Sequence, residues 1–426
     1  MCTAAMSAAL LLATACGPTP HEKAEPARHT PVRIADAPAR LPVPQGKGSK
    51  TPDDFNGDGH RDLVLNDLVK AQAHADDAGI GIVYGGDRGL TPGARQLLSP
   101  RRQAAPTKGQ QPAVFDAEAT CDLNGDGFTD LVVSTDPPYD GQGQPPVPLQ
   151  ILFGSPKGLA GQAVKLVIPP RARAGNDWPD QPVCGDFDGD DAQDLVVHAS
   201  DVQLSFLRGP FTRKGAPKAA GAPVPAPGNV PTGPAADVNG DGYDDLVVRT
   251  TDGPGKSAVV LGGPAGPTRT GVTLPAGIDV ALGTFGRGKG TLDAAIGGMG
   301  GTSLRYDLPA TAARGTLDAP GTVLDAADFD GDGLSELVSS GSRLRVFRGR
   351  TAGLATAGMV TVEPPARGTT RVVTVGDFDG DGRAELVVRA YVGETKDTVA
   401  VYPGVKTGLV AAEPSVRFSS SEFLAP

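Results

Sequence analysis

From residue 51 onward the chain alternates short apolar runs with breaks rich in Gly, Pro and Asp, and no segment sustains a helical period. The last stretch shows the pattern cleanly. "RVVTV" (371–375) leads into an acidic turn, and "ELVVRAYV" (385–392), "TVAVYPG" (398–404) and "LVAAEPSV" (409–416) follow. β-Branched residues dominate these runs, so each predicts a short strand, four to a unit. A helical solenoid is excluded.

The acidic turn is a repeated phrase. It reads "DFNGDGHRDLVL" from Asp54, "DLNGDGFTDLVV" from Asp122, "DFDGDDAQDLVV" from Asp186 and "DVNGDGYDDLVV" from Asp237. It returns as "DFDGDGLSELVS" from Asp328 and "DFDGDGRAELVV" from Asp377. The starts lie 68, 64, 51, 91 and 49 residues apart, and the 91 conceals one more unit. Residues 281–298, "ALGTFGRGKGTLDAAIGG", keep the glycines and the strand-like tail but have lost the alternating aspartates, leaving only Asp293. A second marker, a strand ending in a turn such as "IVYGGDRGL" or "ILFGSPKGL", also counts seven. Seven units of roughly 45–50 residues with four strands each predict an all-β, seven-bladed β-propeller.

Numbered from its first aspartate, each loop places side-chain oxygens at positions 1, 3, 5 and 9. These are Asp54, Asn56, Asp58 and Asp62; Asp122, Asn124, Asp126 and Asp130; and Asp186, Asp188, Asp190 and Asp194. The later loops offer Asp237, Asn239, Asp241 and Asp245; Asp328, Asp330, Asp332 and Glu336; and Asp377, Asp379, Asp381 and Glu385. A backbone carbonyl is free to turn inward at position 7, from His60, Phe128, Ala192, Tyr243, Leu334 and Arg383. Alternate residues of a tight loop aim their oxygens at one point, which is how Ca²⁺ gathers six to eight hard ligands. About six Ca²⁺ are expected, one per blade except the fifth. The six loops carry 21 carboxylates at these positions, so six divalent ions would move the formal charge from −10 to +2 and relieve the self-repulsion. An EF-hand is excluded, because position 12 holds Leu65, Val133, Val197, Val248, Ser339 or Val388 rather than an acid, and each loop exits into a strand.

These loops, each followed by an apolar strand and repeated at blade spacing, resemble the FG-GAP/VCBS repeats of integrin α-subunit propellers and bacterial surface proteins. The resemblance covers about residues 50–426 and implies a seven-bladed propeller with calcium in the hairpin loops of one face. The FG-GAP phrase itself is degraded in every copy, and the fifth blade lacks acidic ligands.

The first residues, "MCTAAMSAALLLATAC", read as a secretion signal whose apolar run is too short to span a bilayer. The small residues before Cys16 are similar to a lipoprotein lipobox, with Ala13 where the pattern has Leu, so Cys16 is expected to carry lipid. Residues 17–50 hold seven prolines, with His21 and His29 among them, and are expected as a disordered tether between the signal (1–16) and the propeller (51–426). The expected location is the outer face of the cytoplasmic membrane, or free secretion. The membrane is met only through the lipid. No basic stripe argues for nucleic acid, and a monomer is expected.

Little in the sequence suggests catalysis. No G-x-S-x-G, H-E-x-x-H or C-x-x-C occurs, and "GPGKS" (253–257) reads as a hairpin turn. His60 is expected to turn its imidazole to solvent, and neither His74 nor His198 has a sequence neighbour that suggests a dyad. Cys121 and Cys184 end the strands entering the second and third loops, offset by one relative to the loop starts. Alternation along a strand then turns both sulfurs to one interface, predicting a disulfide between adjacent blades, against the alternative of two buried thiols. The expected function is a calcium-stabilised surface module that binds or scaffolds a protein or cell-envelope component, rather than an enzyme. The alternatives are a lectin binding carbohydrate between blades, which a single Trp (Trp178) disfavours, and a hydrolase or lyase with its site in the propeller funnel.

Overall fold

The structure is a computed structural model that describes residues 40–424 apart from 77, 144, 287–290 and 311–312. Cys16, the signal and most of the expected tether lie outside the described residues. Among the described residues, seven antiparallel sheets of three to five strands follow one another along the chain, and each is a blade. Blade 7 shows the plan: Thr369–Gly376 innermost, then Glu385–Val392, Lys396–Tyr402 and Val416–Phe418. Blades 4, 5 and 6 repeat it from inner strands Val230–Ala236, Asp279–Gly283 and Val323–Ala327. Blade 2 begins at Asp116–Cys121, and blade 3 at Val183–Gly185, its outer edge broken into Ala219–Ala220 and Val224–Pro225.

The "DLVV" and "ELVV" runs become the second strand of each blade. They are buried on both faces because another blade packs on either side, which is why they read as continuous apolar runs. The core is accordingly divided among the junctions. Seven apolar clusters each join two successive blades, and the one built on Leu63, Leu65, Phe378, Val387 and Val401 closes the ring between blades 7 and 1.

Blade 1 departs from the expected four strands. Among the described residues it has three, Leu63–Leu65, Ile80–Val83 and Arg95–Leu98, and no inner strand precedes its loop. "PVPQGKGSKTP" ahead of Asp53 cannot supply one, since Pro gives no ladder donor and Gly packs nothing. Side chains bridge the gap instead. Asn66 takes both backbone groups of Ala117 on the inner strand of blade 2, at 2.9 and 3.0 Å. Arg389 of blade 7 donates to the carbonyls of Asn66 and Asp67, and Arg61 donates to Val375 O while lying over the Phe378 ring. A cavity of about 270 Å³ remains where the strand would run.

The segments on either side of the ring both fasten onto this blade. At the C-terminus, Ser420–Phe423 forms a 3₁₀ turn whose Ser420 hydroxyl accepts from Val69 N and whose Glu422 carbonyl accepts from Arg95 Nε. Phe423 is buried in the closing cluster. Ahead of the first loop, residues 41–50, expected to end a disordered tether, lie against blade 1 and the loops of blades 1 and 2. Between blades 2 and 3, Cys121 and Cys184 form a disulfide with Cα atoms 6.3 Å apart.

Candidate metal loops and the opposite face

The six acidic loops share one hydrogen-bond plan, fixed by where the glycines allow the chain to turn. The residues at positions 4 and 6 have positive φ, and in blade 3, where position 6 is not Gly, Asp191 takes that conformation at φ 61°. This curl points three successive backbone N–H groups, from positions 4, 5 and 6, at the position-1 carboxylate. Gly331, Asp332 and Gly333 donate to Asp328 at 2.7–3.2 Å, and the same set serves Asp54, Asp122, Asp186, Asp237 and Asp377. The N–H of position 7 donates to position 5 in every loop, leaving its carbonyl out of that bond.

Position 9 does a second job that the sequence conceals. Its carboxylate accepts the N–H of position 2 in its own loop and, in six blades, an N–H from the turn after the third strand. Asp62 takes Phe55 N and Gly85 N, both at 2.9 Å. Asp130, Asp194, Asp245 and Glu336 form the same pair of bonds, and Glu385 accepts from Phe378 N. The fifth blade, whose sequence lacks the alternating acids, keeps this staple: Asp293 accepts from Phe285 N and Asp307 N at 2.9 and 2.8 Å. The position-2 residue is buried, and in five junctions its carbonyl accepts from the next blade, as Phe187 O does from Gly263 N. The loop therefore ties blade to blade whether or not it holds an ion.

Burial dominates the electrostatics. It pushes the carboxyls of Asp62, Asp130 and Glu385 up to about 8, Asp194 and Glu336 to about 7, and Asp245 and Asp293 to about 6. Neighbouring carboxylates push the same way and the N–H bonds pull back. In the six acidic loops a divalent cation would reverse that strain.

Side-chain contacts test whether the loops suit such an ion. Basic side chains hold one oxygen of a loop carboxylate in several blades: Arg208 on Asp188 at 2.9 Å, Lys218 on Asp190 at 2.9 Å, Arg269 on Asp241 at 3.2 Å, and Arg348 on Asp330. The other oxygens of Asp188 and Asp330 are buried and have no hydrogen-bond partner. A buried carboxylate oxygen without a donor is costly and is the feature a hard cation satisfies. Three carboxylates gather within 4.8 Å in blade 3 (Asp186, Asp188, Asp194), blade 6 (Asp328, Asp330, Asp332) and blade 7 (Asp377, Asp379, Glu385). Blades 1, 2 and 4 carry Asn at position 3 and so offer one carboxylate fewer. The donors fit Ca²⁺.

The histidines differ from expectation. His60 does not turn to solvent; its side chain is 18% exposed, with Nε2 3.0 Å from Asp87 Oδ1, because the third-strand turn folds over it. His198 lies 2.9 Å from Asp180 through Nδ1 and 3.1 Å from Asn229 through Nε2. Both ring nitrogens are committed, so this trio joins loops and leaves no nitrogen to act as a base. His74 is exposed, near Glu394.

The two faces of the ring differ in character. Among the described residues, most of the exposed large apolar side chains lie at the blade ends opposite the acidic loops, with Val114, Tyr139, Trp178, Val202, Ile278 and Met299 in connections and Val392 at a strand end. Met299 is 75% exposed at a hairpin tip. A cavity of about 480 Å³ lies between blades 7 and 1 near the same face, with Leu65, Leu68, Val69, Val372 and Val373 on its wall and Arg371 stacked on Tyr391 at its edge.

Among known proteins, no curated sequence matches the chain. The crystal structure of BBS1N in complex with ARL6DN, soaked with mercury, is similar in fold at 13% identity and a TM-score of 0.46, covering 88% of this chain and 97% of that one. The crystal structure of rhamnogalacturonan lyase YesW is similar at 16% identity and a TM-score of 0.43, covering 90% and 76%. Family models are more specific: residues 116–145 match the FG-GAP repeat and residues 328–388 the FG-GAP-like repeat. The chain thus carries FG-GAP repeats in these two stretches, and the loop plan of blades 2 and 6 recurs in blades 1, 3, 4 and 7.

Proposed function

We propose that this propeller is an exported, calcium-stabilised binding module that docks a protein partner through the face opposite its acidic loops. One observation carries the reading: exposed apolar side chains concentrate on that face, while the other is dominated by carboxylates. The donorless oxygens of Asp188 and Asp330 support calcium. The disulfide suits an oxidising compartment and so supports export, with Cys16 as the lipid anchor. Binding rather than catalysis is proposed, because the acidic sites are repeated alike and the His198 trio is closed. A second reading, carbohydrate binding, is favoured only by the cavity between blades 7 and 1 and its Tyr391.

The test compares captured partners of the soluble ring with those of two surface variants. Trp178→Asp with Met299→Asp should abolish capture, while Met359→Asp on the calcium face should not. Equal loss from both, or from neither, overturns the choice of face. A glycan array that lights up for the wild type and fails for Tyr391→Ala would replace the protein partner with carbohydrate.

A further inference from the structure

Residues 44–51 lie across the first acidic loop and reach the second. Gly46 N donates to Asn56 O at 3.0 Å, and Lys47 N and Gly48 N share Gly57 O at 3.0 and 3.1 Å. Ser49 N continues to Gly127 O in the second loop at 2.7 Å, and Thr51 Oγ1 donates to Gly59 O at 3.1 Å. The seat is lined with glycine because nothing larger fits. A side-chain carbon at position 46 would lie 1.7 Å from Gly57 O, and one at position 57 would lie 2.6 Å from Gly48 N. Under this strap Asp54 and Asn56 are 1% and 0% exposed, whereas the first-position aspartates of the other five acidic loops are only half-buried.

Two strap contacts act on ligand groups themselves. Ser49 Oγ donates to Asp54 Oδ2 at 2.6 Å, fixing the position-1 carboxylate. Pro44 O accepts from Asn56 Nδ2 at 3.2 Å. The same nitrogen donates to Asp58 Oδ2 at 3.1 Å while Asn56 Oδ1 accepts from Asp58 N at 3.2 Å, the arrangement that Asn239 and Asp241 also adopt in the fourth blade. The strap thus adds one further bond to an amide orientation that the loop itself already sets.

We propose that residues 44–51 are a calcium-responsive latch: the cation in the first loop and the docked strap favour each other, and loss of the cation releases the strap. This rests on the reading that the acidic loops take calcium. The coupling is reciprocal, so whatever affinity the strap adds to the first site, the ion returns to the strap. Lys47 and Lys50 are exposed on the strap, and a protease can cut beside them only when the backbone lifts away from the loop.

The experiment is limited trypsin digestion of the whole chain in about 1 mM calcium or in chelator, with cleavage after each lysine followed by mass spectrometry. Lys256, in a hairpin of the opposite face, reports any general loosening. Calcium should slow cleavage after Lys47 and Lys50 about tenfold more than after Lys256. Gly46→Val should make strap cleavage fast in either condition and weaken one site of the calcium isotherm, leaving the rest. Ser49→Ala, which removes only the hydroxyl, should do the same to a smaller degree if the valine variant does not fold. Equal calcium effects at all three lysines, with calcium bound, overturn the latch alone. A wild-type isotherm for both variants does the same, and no calcium binding at all overturns the latch together with the calcium reading.

Discussion

Asp293 gives the cleanest test of the position-9 staple, because its blade has no ligand set and the result cannot be blamed on lost metal. Replacing it with Ala strips the acceptor from Phe285 N and Asp307 N, in a site where Asp293 itself is 1% exposed. Each buried donor left without a partner costs about 1–3 kcal/mol, so the pair should cost about 2–6 kcal/mol at pH 5. The penalty should shrink as pH rises. Burial raises the Asp293 carboxyl from 3.8 to about 6, so its contribution to stability is full below the unfolded value and is lost as pH climbs through about 6. Raising the carboxyl that far is worth about 3 kcal/mol, the amount by which the Ala penalty should fall between pH 4 and pH 8. Denaturant unfolding of both proteins in chelator, at matched pH, reads this difference while the titrations common to both cancel. A penalty that grows with pH would refute the reasoning, as would one below about 1 kcal/mol at pH 5.

Three further outcomes are expected. Calorimetry across roughly 0.1–1 mM calcium should find about six sites, with blades 3, 6 and 7, which carry four loop carboxylates each, filling before blades 1, 2 and 4; two or fewer sites, or Asp→Ala at position 5 of blade 6 leaving the tightest class intact, would contradict this. Chelator should lower the thermal midpoint, since each site held at ten times its dissociation constant adds roughly 1.4 kcal/mol, and an unmoved midpoint would deny the ion a structural role. Replacing Cys121 and Cys184 with Ser should cost about 4 kcal/mol from the 63-residue separation that the bridge spans, read by denaturant midpoint; a loss under about 1 kcal/mol would mean the blade 2–3 junction holds without it.

The blade count and the shared acidic-loop geometry were legible because they repeat: a phrase written six times fixes its own register, and strand alternation was enough to face Cys121 toward Cys184. What could not be read was whatever occurs once or joins distant residues. The missing inner strand of blade 1 was hidden because Pro and Gly before Asp53 look the same in a tether and in a strap. His60 and Asp87 are 27 residues apart, and His198 meets Asn229 across a blade boundary, so neither pairing has a local signal. Asp293 was visible but passed for the remnant of a lost site. Its meaning appears only when the same carboxylate is seen tying Phe285 to the third-strand turn, a task it shares with Asp62 and its counterparts.

The side-chain bridged gap in blade 1 has a mechanical consequence. Six of the junctions between blades lie within a continuous run of chain, while the seventh is a clasp, with the N-terminal strap on one side and the Ser420–Phe423 turn on the other. Arg40 and Leu424 line the same cavity, so the propeller is entered and left at neighbouring points. Force drawn through residue 40 therefore loads the strap and blade 1 before the blades beyond them, and the ring should open at this seam into a linear row of blades. That closeness also makes the seam movable. Joining Leu424 to Arg40 with a short linker and cutting the chain at the Met299 hairpin should yield a permuted ring whose weakest point lies in blade 5.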